Sequence, residues 1–280
     1  MNFTRRRNMV SFDWAMKKLL RNKANYVCIV LTFICVASCE DILKLDVTGD
    51  GNVVKDTLRW RSAFTINEID LHDNFQLEIY RSEIPALHIE TDSNLMIYVK
   101  TDFVRNKLTI RRQSDHNLKP SRNIVVRLYI NDLSQINVWN RGKILCDTLI
   151  AASRLSINIY GKSSFKSNHI YSDNLLFRTE GGANIDIKGE FTSLNYSQIG
   201  SGETHLQGET EFLHLTQEGS GKIEALDLTS KYADVVLRHS GLIYCNVSNY
   251  LTVDIIGTGR VYYKGDPEVS VEGDGVVEKI

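Results

Sequence analysis

Proline is scarce, with 3 in 280 residues, and so are tryptophan, methionine and cysteine, at 3, 4 and 5. So few prolines leave strands uninterrupted and exclude a collagen-like or proline-rich chain. Five cysteines over this length are too few for a disulfide-stapled scaffold. No apolar run reaches the ~20 residues that a bilayer-spanning helix needs. Three signatures are also missing: a glycine-rich phosphate loop opening a helix, a Cys-His metal spacing and a nucleophile elbow. Positive charge is not in excess, since 33 Lys and Arg face 34 Asp and Glu, but it is unevenly placed. Residues 1–38 hold Arg5, Arg6, Arg7, Lys17, Lys18, Arg21 and Lys23 against one acid, Asp13. The remainder therefore has 26 bases and 33 acids, a net charge of −7. An acidic body of this kind repels phosphate backbones, which argues against nucleic acid as a partner.

What is present begins with the amino terminus. A basic run from Met16 to Lys23 leads into an apolar core, Tyr26 to Val36, of the length of a secretory h-region. It ends at Val36-Ala37-Ser38-Cys39, which resembles the lipobox of bacterial lipoproteins, where the thiol after small residues becomes lipidated. Residues 1–38 are thus expected to be a lipoprotein signal peptide, with Met9 and Met16 as alternative starts. Palmitate-class acyl chains on Cys39 would supply the membrane anchor. Two or three such chains, at roughly 0.8 kcal/mol per buried methylene, hold where one does not. Glu40-Asp41 is similar to the acidic tag that sends some lipoproteins of the Bacteroidota to the outer face of the outer membrane. The expected location is the cell envelope, as a surface-exposed outer-membrane lipoprotein. Cys28 and Cys35 leave with the signal, so Cys146 and Cys245 alone remain in the folded part.

Residues 39–58, with Gly49-Asp50-Gly51-Asn52, read as a lipidated tether. Beyond them apolar residues alternate: Phe75, Leu77, Ile79; Leu87, Ile89; Leu108, Ile110; Ile124, Val126, Leu128, Ile130. A period of two is that of a half-buried strand, and no amphipathic helix is apparent after the signal. From about residue 132 a repeat of roughly 16–21 residues appears, marked by small-residue corners. These begin at Asn140, Gly161, Gly181, Gly200, Gly219, His239, Gly257 and Gly273, which makes eight coils.

Aligned on the corner, the position four before it reads Ile136, Ile157, Phe177, Tyr196, Leu215, Val235, Val253, Val269. Six before gives Ser134, Leu155, Leu175, Leu194, Leu213, Ala233, Leu251, Pro267. Four after gives Ile144, Phe165, Ile185, Thr204, Ile223, Ile243, Val261, Val277. Three apolar ladders facing inward enclose a core, so the expected fold is all-β: a parallel β-solenoid over 132–280 with a β-rich N-terminal portion over 59–131. An antiparallel sandwich is the competing arrangement, disfavoured because same-position ladders recur with the corners. In a solenoid Cys146 and Cys245 occupy equivalent places five coils apart, about 24 Å at ~4.8 Å per coil, too far for a disulfide. They are expected to be free and buried.

Several stretches then match a known family. Gly51-Asn52-Val53-Val54, the segment Phe64 to Leu77, the repeated Gly-Ser-Gly corners and the endings Val261–Pro267 and Gly273–Ile280 resemble the putative auto-transporter adhesin, head GIN domain family. The resemblance covers about residues 59–280. It implies a single-stranded right-handed β-helix, related in shape to pectate lyases, and a lipoprotein or secreted protein of the Bacteroidota. It brings no catalytic residues, and bulkier, more charged corners set the first two coils apart from the family pattern.

Lyases on this scaffold use calcium held by clustered carboxylates. The nearest arrangement here is the column Lys166, Asp186, His205, Glu224, which reads more simply as charges pairing across a solvated face. His214 beside Asp234 is a similar lone pair. No catalytic residue, metal ligand or cofactor is therefore assigned. Two aromatic pairs stand out at outward places, Trp139 with Tyr160 and Tyr244 with Tyr262, where flat rings could stack on sugars or on a partner protein. The expected function is a non-catalytic binding, adhesion or scaffold module, with the membrane as one partner through the lipid and a glycan or surface protein as another. A polysaccharide lyase-like enzyme and a periplasm-facing structural protein are the alternatives.

Overall fold

The computed structural model describes residues 44–59 and 65–280. They fall into two compact units, a small one containing residues 44–46 and Ser114–Asn117 and a main one formed by Val47–Gln113 with Leu118–Ile280. In the small unit the Leu45 amide donates to the Asp115 carbonyl at 3.0 Å, and the Asn117 side-chain amide donates to the Asp46 carboxylate at 2.8 Å. Among the described residues there is no α-helix, only a short 3-10 turn at Met96–Tyr98.

The strands in chain order are β1 (Leu45–Thr48), β2 (Val53–Arg59), β3 (Glu68–Leu71), β4 (Gln76–Arg81), β5 (Ala86–Asp92), β6 (Val99–Val104), β7 (Lys107–Arg112), β8 (His116–Lys119), β9 (Val125–Ile130) and β10 (Gln135–Val138). Six long ones follow, β11 (Lys143–Gly161), β12 (Ser164–Gly181), β13 (Asn184–Gly200), β14 (Glu203–Gly219), β15 (Lys222–His239) and β16 (Leu242–Gly257). The chain closes with β17 (Arg260–Lys264), β18 (Glu268–Gly273) and β19 (Val276–Lys279). β1 and β8 pair with each other, and the other strands share one sheet.

From β10 onward every pairing is parallel and joins residues one coil apart, as with Leu194, Leu213, Ala233 and Leu251. This is the expected β-solenoid, though of about seven turns where the corners counted eight coils. The three ladders point inward: Ile157, Leu215, Val235, Leu155, Leu251, Ile144, Ile223 and Ile243 are all fully buried. Burying one such side chain is worth roughly 1.5–3 kcal/mol, and no coil can do so without a neighbour above and below. The ladders weaken at their ends. Ser134 is exposed and donates its hydroxyl to the Asn67 carbonyl at 2.9 Å, while Pro267, Val269 and Val277 in the last rungs are half-buried.

The corners follow from backbone crowding. Gly200 sits at φ +122°, and a Cβ there would lie 2.3 Å from the Gly181 carbonyl oxygen of the preceding coil. Asn140 and His239 fill the same place without being glycine, and both adopt φ +75°, within the left-handed region that Asn and His tolerate better than most residues.

Parallel pairing also extends upstream. β3 pairs with β10, aligning Leu71 with Val138, and with β7 on its other side; β4 pairs with β11, aligning Ile79 with Cys146, and with β9. Asp73 between β3 and β4 has φ +68°, so it repeats the corner. Antiparallel pairs complete this region: β2 with β5, β5 with β9, and β6 with β7. Residues 53–58, the end of the stretch read from sequence as tether, thus lie in strand β2, which runs on to Arg59.

Asp92 at the end of β5 anchors that entry. It is 1% exposed and accepts the Gly51 amide at 2.9 Å, the Ser121 amide at 2.8 Å and the Ser121 hydroxyl at 2.6 Å. Cys146 and Cys245 are free and buried, and burial pushes the Cys245 thiol up to about 12.

Candidate functional site

In a parallel solenoid an outward residue recurs one rung away, so the outer surface is a set of columns with ~4.8 Å between neighbours. Trp139 and Tyr160, immediately before successive corners, stack at 4.2 Å between ring centroids and 10° between planes. The structure adds a third ring: His72 stacks on Trp139 at 6.0 Å and 7°, because β3 lies beside β10. Trp139 is 37% exposed and Tyr160 half-buried. Tyr244 and Tyr262 pair in register and stack at 5.0 Å and 19°. The Lys222 ammonium lies 5.2 Å from the Tyr244 ring centroid, and an Arg260 guanidinium nitrogen donates to the Tyr262 hydroxyl at 3.4 Å. Both pairs are therefore brought together, on different columns.

The charged column resolves into pairs. Lys166 meets Asp186 at 2.6 Å, His205 meets Glu224 at 3.5 Å, and Lys222 meets the same Glu224 carboxylate at 2.7 Å. The Lys222 contact holds the Glu224 carboxyl below the usual carboxylate range and the Lys222 ammonium above its own. His214 Nδ1 lies 2.9 Å from the Asp234 carboxylate. Such contacts on a wet face are worth little in stability, but they set each of these carboxylates against a basic or imidazole group. Among the described residues no group of three or more His, Cys, Asp or Glu is arranged to hold a metal ion.

One set of rings escaped the sequence reading. Phe212, Tyr232 and Tyr250 lie in register on β14, β15 and β16 and are 48%, 40% and 40% exposed. The signal was present in the sequence: each stands seven residues before its corner.

The interior holds a second surprise. Thr179, Gln198 and Gln217 occupy the inward column two before the corner and are buried, where Val138, Ile159, Leu237 and Ile255 are apolar. Much of their polarity is absorbed locally, although the Gln217 side-chain oxygen has no hydrogen-bond partner among the described residues. The Gln198 amide donates to the Gly202 carbonyl at 2.6 Å, the Thr204 hydroxyl donates to the Gln198 side-chain oxygen at 2.8 Å, and the Gln217 amide bonds the Gly221 carbonyl. Tyr196 and Thr204 share a hydroxyl contact, and burial raises the Tyr196 phenol.

Fold and surface together define a parallel β-solenoid with aromatic columns on its outer faces. The chain belongs to the putative auto-transporter adhesin, head GIN domain family, whose model matches residues 65–267. Crystal structures share its fold. A putative lipid binding protein from Parabacteroides distasonis is 24% identical and superposes with a TM-score of 0.77 over 84% of this chain and 99% of that one. A putative adhesin from Parabacteroides merdae is 20% identical, with a TM-score of 0.78 over the same shares, 84% and 99%. Another from Bacteroides fragilis is 19% identical, with a TM-score of 0.63 over 84% of this chain and all of that one. At these identities the likeness speaks for the fold. A comparison with curated proteins finds no match.

Cys39, its signal peptide and Glu40-Asp41 lie outside the described residues. Among those described, no helix is long and apolar enough to cross a membrane.

Proposed function

We propose that the chain is a binding module of the adhesion type that works without turnover, held at the outer membrane by acyl chains on Cys39 and facing away from the cell. The observation that carries this is the pairing of exposed or half-exposed rings on adjacent rungs, Trp139 with Tyr160 and Tyr244 with Tyr262, on a rigid scaffold. Rigid rings lose little entropy when a partner covers them, so a preformed ridge of stacked rings binds economically. Membership of an adhesin-named family supports the same reading, as do the lipobox-like Val36–Cys39 and the acidic Glu40-Asp41. The described carboxylates and histidines of the outer columns face one another across rungs, which suits a binding face better than acid–base chemistry.

Metabolic labelling with palmitate, fractionation and protease shaving of intact cells test the reading. The native protein should carry label, sediment with membranes and be shaved from intact cells, whereas Cys39→Ser should do none of these. Membrane retention of unlabelled Cys39→Ser would remove the lipid anchor, and complete protection from protease would remove the outward orientation.

A further inference from the structure

We propose that the column Phe212, Tyr232, Tyr250, with the polar column beside it, is a binding strip for an uncharged polysaccharide laid along the solenoid axis. This rests on the reading of the chain as a binding module and assigns ligand and place to a column that neither Trp139/Tyr160 nor Tyr244/Tyr262 occupies.

Three large rings, each at least two-fifths exposed, on three consecutive rungs are costly to leave in water. Phe212 and Tyr232 stack on one another at 5.3 Å between centroids and 16° between planes, so they turn a continuous ridge of ring edges outward. Tyr250 extends it by one rung through its register with Tyr232. The rung spacing of ~4.8 Å is close to the stride of a pyranose in an extended glycan. A glycan laid along the axis can therefore set the C–H groups of successive sugars against this apolar ridge.

A sugar's rim of hydroxyls needs donors and acceptors at the side of such a platform. The column two residues on, facing the same way, supplies them: Asn195, His214, Asp234 and Thr252 follow one another in register. Rings and polar groups line one open groove of about 370 Å³, within the range of small-molecule sites. His214 is fixed from two sides, by the Asp234 carboxylate at 2.9 Å and by a Thr216 hydroxyl contact at 3.3 Å. Polar groups held in place before the ligand arrives bind it at lower entropic cost.

Charge selects the class of glycan. Beside the strip Lys231 faces Glu211 at 3.6 Å, and the His214 ring faces the Asp234 carboxylate. Glu268 continues the ring column below Tyr250. A uronate or sulfated chain laid over the three rings would meet this acidic border, whereas a neutral hexose or pentose polymer loses nothing.

The experiment is affinity electrophoresis of the full lipidated protein in detergent, through gels containing neutral polysaccharides (a β-glucan, a mannan, a xylan) or anionic ones (polygalacturonate, chondroitin sulfate). At least one neutral polymer should retard the native protein and neither anionic one should. Phe212→Ala combined with Tyr232→Ala should weaken the retardation at least tenfold, Tyr232→Phe should keep it, and Lys279→Ala on the last strand should leave it unchanged, with Tyr244→Ala plus Tyr262→Ala run in parallel. Thermal melting of each variant separates loss of ligand from loss of fold. Retardation by anionic polymers alone, or by none, overturns the inference. So does a loss that follows Tyr244 and Tyr262, although that result would leave the binding-module reading standing. Sedimentation showing that ring truncation dissolves a dimer would assign the strip to a second copy of the chain and sink the proposal.

Discussion

Asp92 shows how much one side chain can govern in a repetitive protein. Its three donors come from residues far along the chain, Gly51 and Ser121, and together they hold its carboxyl below the usual range, the Ser121 hydroxyl being the leading cause. A carboxylate with a depressed folded pKa adds stability that is fully present above its unfolded value of ~4 and is lost as pH falls through the folded value. Asp92→Asn should therefore cost about 2 kcal/mol at pH 7. The gap in melting temperature between the two proteins should close as pH drops below about 4, which calorimetry across pH 2–7 would measure. An unchanged gap at pH 2 would show that the carboxylate's charge is not what ties Gly51 and Ser121 to β5.

At the scale of the element, each coil is a strand folded at a corner, and two neighbouring glycines separate what a corner tolerates from what it forbids. Gly200 combines φ +122° with a Cβ site 2.3 Å from a backbone oxygen of the coil above, while Gly182 has ordinary φ and no atom nearer than 3.8 Å. Gly200→Ala should cost about 3 kcal/mol through strain and a clash that neither backbone can easily relieve, and Gly182→Ala should stay within about 0.5 kcal/mol. Urea midpoints at constant slope would read both. The corners were legible because small residues recur beside an apolar period of two. The buried Gln198 and Gln217 were not, since polarity in sequence argues for the outside. What admits them is the corner itself, whose Gly202 and Gly221 carbonyls turn inward to accept their amides.

For the whole molecule, stacking makes stability a sum over neighbours, so the ends open first. The last rungs have only one neighbour. Val269 and Val277 are half-buried there, and Val271 is 49% exposed. Cys245 lies next to Tyr263 of β17, near that end, whereas Cys146 is flanked by Ile79 and Ser167 within the stack. Both thiols are buried, so they react only when rungs separate. Under native conditions Cys245 should label at least tenfold faster than Cys146, as followed by mass spectrometry of a thiol reagent. Equal rates would mean that the stack opens as one unit.

The amino-acid order by itself determined the coil: the strand period, the corners and the three inward ladders all arise from residues close together in the chain, and the free thiols from the number of coils between Cys146 and Cys245. Tertiary structure alone decided which outer side chains become neighbours. Those neighbours are a full coil apart, and coil length varies because bulges intervene, as between Ala225 and Thr229. His72 reached Trp139 only through the pairing of β3 with β10, 67 residues on. The Phe212–Tyr232–Tyr250 column likewise became a surface only once parallel hydrogen bonding set β14, β15 and β16 side by side. Periodicity is a local property of the chain, whereas adjacency on a sheet face depends on register between strands.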